Sequence, residues 1–238
     1  MALVEYSSDE KTVAVVTMNS GENRLNPAFI KTYLDVLDQV ERETTASTLV
    51  VSSSHEKIFS NGLDLEWLRP VFQNREINVI SDFFYLMNRL YKRILLYPMI
   101  TVAAVNGHAF AAGAILTCAF DFRFMRSDRG YFCLPEIDLG MPFLPGMLAL
   151  LKKAIPMYLL EELQYTGKRL TAAECEKHHI ITRACPVETL MDEAMAFAKS
   201  LNKQRGIIRE MKSRMYHEIV QALDNQDGSY IESAKYVY

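Results

Sequence analysis

The chain has no Cys-x-x-Cys pair, no His-Glu-x-x-His signature and no other Cys/His spacing suited to a transition metal, so no metal site is expected. Its cysteines are few: Cys118, Cys133, Cys175 and Cys185. A 238-residue chain does not need disulfide staples, so these thiols are expected to be reduced and mostly buried, in a reducing compartment. Excess charge is lacking as well. With 26 Lys plus Arg against 29 Asp plus Glu, the net charge is −3, and nothing draws the whole protein to nucleic acid or to an anionic membrane. The first residues, Met1-Ala2-Leu3-Val4-Glu5-Tyr6, show no basic segment followed by an apolar run. The last four, Lys235-Tyr236-Val237-Tyr238, do not form a peroxisomal Ser-Lys-Leu-type ending, and a cytoplasmic location is the expectation. Pro/Ser-rich linkers, low-complexity tracts and internal repeats are absent. What is present is a chain 50% hydrophobic and 23% charged, enough to bury one large core.

The uncharged stretch from Pro98 to Phe120 has the length of a membrane span, but Asn106-Gly107-His108 interrupts it. Ile100–Val105 reads instead as a β-branched strand covered on both faces, and Ala112–Phe120 as a buried helix. Earlier strands are expected at Val4–Tyr6, Thr12–Met18 and Thr48–Ser52. Asn26 is placed to cap a helix with Pro27 at its first position, and Phe29, Ile30, Tyr33, Leu34, Leu37 and Val40 then fall on one face. A loop at His55–Gly62 precedes a helix from about Glu76 to Leu96 with the stripe Ile77, Ile80, Phe84, Met87, Tyr91 and Ile94. A strand follows at Asp121–Met125. This alternation predicts α/β layering. After Leu144 helices dominate, with a short strand near Ile180–Ala184 and a capping box at Thr171–Glu174. The basic run Lys199, Lys203, Arg205, Arg209, Lys212 and Arg214 reads as a solvated helix face, with contact to ligand phosphates or to nucleic acid as the sharper alternatives.

Three segments carry the chemistry together: Phe59-Ser60-Asn61-Gly62-Leu63-Asp64-Leu65, Val105-Asn106-Gly107-His108-Ala109-Phe110-Ala111-Ala112-Gly113, and Leu134-Pro135-Glu136-Ile137-Asp138-Leu139-Gly140. In the second, a strand enters a small-residue turn that opens a helix near Ala112. First-turn N–H groups lack internal partners, and the helix dipole adds positive charge there, so such a turn can hold an oxyanion. Asn61-Gly62-Leu63 offers a second turn of this kind, with Asp64 as N-cap of the helix that follows. His108 is read as structural, because no Ser or Cys stands in a nucleophile motif, and His178-His179 as surface.

The order and spacing of these segments resemble the crotonase (enoyl-CoA hydratase/isomerase) superfamily, most of all its monofunctional Δ3,Δ2-enoyl-CoA isomerase branch. The resemblance runs from the first strands to about residue 185. It implies a crotonase-type ββα superhelical core over 1–185 carrying an acyl-CoA site, and a helical trimerisation region over 186–238. It also implies an oxyanion hole from the backbone N–H groups of Leu63 and Ala112, a loop at Asn61 and Gly62 against the CoA moiety, and Glu136 as acid/base. The expected partners are an acyl-CoA thioester substrate and further copies of the chain, as a homotrimer or hexamer. Coenzyme A enters as part of the substrate rather than as a cofactor.

The departures matter more. Where the family's hydratases carry a first water-holding glutamate, this chain has Ile115; where its dienoyl-CoA isomerases carry an aspartate, it has Leu144. Met141-Pro142-Phe143-Leu144-Pro145 replaces the glycine-rich turn common in hydratases. One carboxylate in apolar surroundings suits a proton shuttle better than hydration. Another crotonase-fold reaction (thioester hydrolysis, decarboxylation or residual hydration) and a non-enzymatic acyl-CoA binder are the alternatives.

Overall fold

The computed structural model describes residues 2–9 and 12–233. Chain order gives β1 (Val4–Asp9), β2 (Val13–Met18), α1 (Pro27–Glu43), β3 (Thr48–Ser53), β4 (Ile58–Ser60), α2 (Leu65–Gln73), α3 (Ile77–Leu95), β5 (Ile100–Val105), β6 (His108–Phe110), α4 (Ala112–Ala119), β7 (Phe122–Arg126) and β8 (Phe132–Cys133). A single 3₁₀ turn, Glu136–Leu139, leads to α5 (Pro145–Ala154), α6 (Met157–Thr166), β9 (Arg169–Leu170), α7 (Ala172–Lys177) and β10 (Arg183–Cys185). The remaining elements are α8 (Val187–Ser200), α9 (Arg205–Met215), α10 (His217–Gln221), a π-helical stretch at Ala222–Gln226 and α11 (Asp227–Glu232).

Two sheets organise these elements. The larger runs β1-β2-β3-β5-β7-β10, antiparallel at β1–β2 and parallel thereafter; the smaller runs β4-β6-β8-β9. Successive strands alternate between them: β3, β5 and β7 go to the large sheet, and β4, β6 and β8 to the small one. A helix follows β4 and another follows β6, so the chain climbs as a ββα superhelix. This is the crotonase fold. β3 and β5 are buried along almost their whole length, which is why their sequences are apolar runs without alternation.

The helix-capping signals hold. The Asn26 side chain accepts the Phe29 N–H at 2.9 Å, and the expected face of α1 is buried. Thr171 and Glu174 form their reciprocal capping box. All four cysteines are buried and free. Ile77, expected in the buried stripe of α3, is 46% exposed, since the first turn of α3 projects past the core.

The stretch at His55–Gly62 is not all loop. Ile58–Ser60 forms β4 by pairing with β6, a contact too short and too distant in sequence to leave a periodic signal. Within the region after residue 186, α8 lies on the large sheet. Leu190, Ala194 and Ala198 cover Val13, Val50, Val102 and Phe124. Residues 234–238 of that region, and Met1, Glu10 and Lys11, lie outside the described residues.

The basic run is not uniformly solvated. Arg205 donates to the carbonyls of Glu41 and Ala46, and Lys212 is buried, donating to Met99 O at 2.8 Å and pairing with Asp121 at 2.6 Å. These long side chains satisfy carbonyls that the strand and helix ends leave open, work the sequence pattern does not reveal. No helix among the described residues is long and apolar enough to cross a membrane.

Candidate active site

The first turn is held from below. Asn23 is fully buried and donates to Ser53 Oγ at 2.7 Å and to Phe59 O at 2.9 Å; Ser60 Oγ donates to Asn23 O at 2.8 Å. This fixes the end of β4 and the loop leaving it. Leu25 then bridges that loop: its N–H donates to Gly62 O at 2.7 Å, and its carbonyl accepts Asp64 N–H at 3.0 Å. Backbone groups alternate in direction along an extended segment, so the N–H of Leu63 points away from Leu25. Asp64 caps α2 by accepting Trp67 N–H, and its other oxygen accepts Asn26 Nδ2 at 2.8 Å, which joins the caps of α1 and α2. Asn61 is tied to Glu22 through both backbone and side chain.

The second turn is strained. Ala111 sits at φ 51, ψ −128, in a region that a Cβ disfavours, and its N–H donates to Cys133 O at 2.9 Å. Ala112 follows as the first residue of α4, so its N–H has no intrahelical acceptor. The opposite end of α4 is capped by cations: Arg123 and Lys153 donate to the carbonyls of Thr117, Cys118 and Phe120. They complement the negative end of the helix dipole. Burial lowers the Lys153 ammonium to about 8.

The two turns touch at Gly62. It adopts φ +77, and a Cβ built there would lie 2.8 Å from Phe110 O and 3.2 Å from Ala112 N. Standard bond lengths then place the nitrogens of Leu63 and Ala112 no more than about 7 Å apart.

Glu136 closes the arrangement. Pro135 ends the extended segment after β8, and Glu136 begins the 3₁₀ turn, only 9% exposed. Its Oε2 is buried without a hydrogen-bond partner among the described residues. Burial is the main reason its carboxyl is pushed up to about 7. Tyr91, whose hydroxyl donates to Ala112 O at 3.2 Å, lies close enough to Glu136 for the carboxylate to add to the effect of burial, which holds the phenol neutral.

Asn61, Leu63, Ala112 and Glu136 line one cleft. Gly62 does not line it; it presses the loop against the second turn. Among the lining residues only Asn61 and Glu136 have polar side chains. Ile115 and Leu144 both face the cleft, at the two positions where a further carboxylate would change the chemistry. A second, more open groove, bounded by Phe143, Leu148 and Tyr165, also reaches Glu136. Among the described residues there is no cluster of three or more metal-ligating side chains.

Sequence reasoning did not single out Phe84 and Met87 from α3, nor Leu139 and Met147, as walls of the cleft. The first two were visible as part of an apolar helix stripe, which says that a side chain is buried but not against what. His108 keeps its structural reading: it packs beside Phe110 and Tyr131, with ring centroids at 4.8 and 5.7 Å. His179 is exposed, while His178 is half-buried and bonds the Tyr158 hydroxyl at 2.9 Å.

A family profile described as Enoyl-CoA hydratase/isomerase matches residues 8–235. The chain belongs to the enoyl-CoA hydratase/isomerase family. It is 28% identical over 209 residues to enoyl-CoA delta isomerase 3 of Arabidopsis thaliana, covering 85% of this chain and 87% of that one. It is 34% identical over 160 residues to the Arabidopsis enoyl-CoA delta isomerase 2, named peroxisomal, an alignment that spans 65% of each protein. Other family members that match carry hydratase in their names. The solved structure of human mitochondrial delta3-delta2-enoyl-CoA isomerase superposes with a TM-score of 0.84 over 97% of this chain and 90% of that one; at 21% identity this likeness shows the fold alone. Family membership places this chain among the enzymes of the enoyl-CoA hydratase/isomerase family.

Proposed function

We propose that this protein is a Δ3,Δ2-enoyl-CoA isomerase in which Glu136 is the sole catalytic acid/base. The observation that supports this reading is a single buried carboxylate, without a partner on Oε2, whose neighbours in the cleft include Ile115 and Leu144. The C2 proton of a 3-enoyl thioester is acidified by the carbonyl and by the adjacent double bond. The Glu136 carboxylate removes it: the C2–H electrons form a C1=C2 bond and the carbonyl electrons move onto oxygen, giving a dienolate that keeps C3=C4. The enolate oxygen then re-forms the carbonyl, C1=C2 becomes C2=C3, and the C3=C4 electrons take the proton back from the carboxylic acid at C4. Negative charge collects on the thioester oxygen, where the Leu63 and Ala112 N–H groups stabilise it; one such donor is worth about 3 kcal/mol. A pKa near neutrality suits a group that must both take and give a proton. Hydration needs a second positioned acceptor for water, and an aliphatic side chain at 115 offers none. Simple acyl-CoA binding makes no use of a lone carboxylate with a raised pKa, and thioester hydrolysis would need a positioned water that the apolar lining of the cleft disfavours.

In this reading the Asn61–Gly62 loop faces the CoA moiety, coenzyme A is part of the substrate, and no separate cofactor takes part. The active form is a trimer or hexamer. Ile207, Met211 and Met215, exposed on one face of α9 at helical spacing, fit a subunit contact by the tail region. Buried free thiols are in keeping with a reducing, cytoplasmic setting, which fractionation would check.

The test is a paired assay of the purified protein on 3-enoyl-CoA and on 2-enoyl-CoA, with Glu136→Gln alongside. The wild type should isomerise the first and leave the second unhydrated. The Gln variant should stay folded and bind CoA thioesters, but lose at least about 10²-fold in kcat. If a folded Gln variant keeps more than about a tenth of the rate, Glu136 is not the base.

A further inference from the structure

Asp227 takes no part in the chemistry proposed above, yet its carboxylate is fully buried and bonded on both oxygens. Oδ1 accepts the Gly146 N–H at 2.7 Å and Oδ2 accepts Asn88 Nδ2 at 2.7 Å. The same Asn88 amide donates to Leu223 O at 3.2 Å. Burial pushes the Asp227 carboxyl above its ordinary range, while the two N–H donors pull it back.

The need for this carboxylate comes from α5. Gly146 stands in the first turn, so its N–H is an orphan donor, and Leu144 at the cap position has no side-chain acceptor. Asp227 supplies the acceptor from 81 residues away, with negative charge at the positive end of a helix. The widened π-helical stretch Ala222–Gln226 ends next to it, and the approach is tight. A Cβ on Gly146 would lie 2.5 Å from Leu223 Cδ2 and 2.7 Å from Asp227 Oδ2.

What these bonds hold in place is the cleft. Met87 precedes Asn88 in α3, Leu144 and Met147 flank Gly146, and all three line the cavity around Glu136. The segment between the Glu136 turn and α5 is anchored at its far end by the Gly146 contact. We propose that Asp227 is a positioning residue: by locking the first turn of α5 to α3 it sets the closure of the apolar wall that keeps water from Glu136. The catalytic half of this inference rests on the proposed role of Glu136.

The test uses the full chain and two independent perturbations of the same contact. Asp227→Asn keeps the size but turns an NH₂ towards one of the two donors. Gly146→Ala pushes the contact from the other side without changing charge. Leu190→Ala, in α8 on the larger sheet, serves as a comparably destabilising control. Glu136 is titrated by ¹³C-carboxyl NMR, its signal assigned by loss in Glu136→Gln, and kcat is measured on 3-enoyl-CoA. Tyr91 and Cys133, the ionisable groups coupled to Glu136, both have raised pKa values and stay neutral near pH 7, so they do not confound the titration. The expected result is a Glu136 midpoint moved down towards the ordinary carboxylate range in both variants and not in the control, with kcat about 10- to 100-fold lower. Folded variants with an unmoved midpoint would overturn the positioning role, and so would the same loss in Leu190→Ala. If one variant does not fold, the other decides. The NMR readout does not need activity, so a wild type inactive on 3-enoyl-CoA would count against the isomerase reading alone.

Discussion

Replacing Glu136, the proposed catalytic base, should remove a cost in stability that grows from acid to neutral pH, while making the protein inactive. Glu136 has an ordinary carboxyl pKa of 4.5 when unfolded and about 7 in the folded cleft. The native state therefore binds the proton more tightly. Between these values the native protein holds more protons than the unfolded chain, so stability falls as pH rises and the loss is complete above about pH 7. The full difference of about 2.5 pK units corresponds to about 3 kcal/mol. Over the working window from about pH 5 to about pH 8, some 2.5 kcal/mol of this is expressed. Glu136→Gln cannot ionise and escapes the penalty. Its amide also meets an apolar wall, which adds a constant cost, but that cost does not change with pH. The quantity to measure is the stability of the variant minus that of the wild type, from urea unfolding at both pH values. It should rise by about 2.5 kcal/mol from the lower pH to the higher. A flat difference would mean that Glu136 is not held near pKa 7. The cleft would then be wet, and the argument from apolar walls would fail with it.

Three further outcomes follow from the same geometry. kcat/KM on 3-enoyl-CoA should fall about tenfold per pH unit below about pH 7, because the free enzyme needs the ionised base, and a pH–rate profile with its limb near 4.5 would contradict the raised pKa. Gly62→Ala forces a side chain into φ +77 and towards Phe110 O; it should lower kcat by roughly 10²- to 10³-fold through displacement of the Leu63 N–H, while thioester binding, followed by calorimetry, weakens far less. Ile115→Glu places a second carboxylate in the cleft and should introduce slow hydration of 2-enoyl-CoA, read as loss of absorbance of the conjugated thioester, together with a pH limb moved higher by like-charge repulsion.

Much of this was legible in the chain itself, and the reasons are local. Asn26-Pro27 and Thr171–Glu174 mark helix starts because capping is a contact within four residues. β5 is readable as a strand buried on both faces because an apolar β-branched run has few other uses in an uncharged stretch, and β3 is readable as an apolar strand. The resemblance to the crotonase family is what singled out Glu136 and the aliphatic residues at 115 and 144, and it was readable because the order and spacing of its motifs survive in one dimension. What the chain did not reveal is which distant groups meet. β4 exists only because β6 lies beside it. Phe84 and Met87 are ordinary stripe residues until α3 is docked against the turn at Ala112. Lys212 and Arg205 look like solvated charges until Asp121, Met99 and Ala46 are brought to them. Even the raised pKa of Glu136 is a tertiary property, because it depends on how much water the surrounding walls exclude. Local sequence determined the helix caps and the strand faces, and the family resemblance singled out the lone carboxylate. Only the packing of α3 and α5 around that carboxylate decided its environment, because desolvation depends on neighbours that the chain order keeps many residues apart.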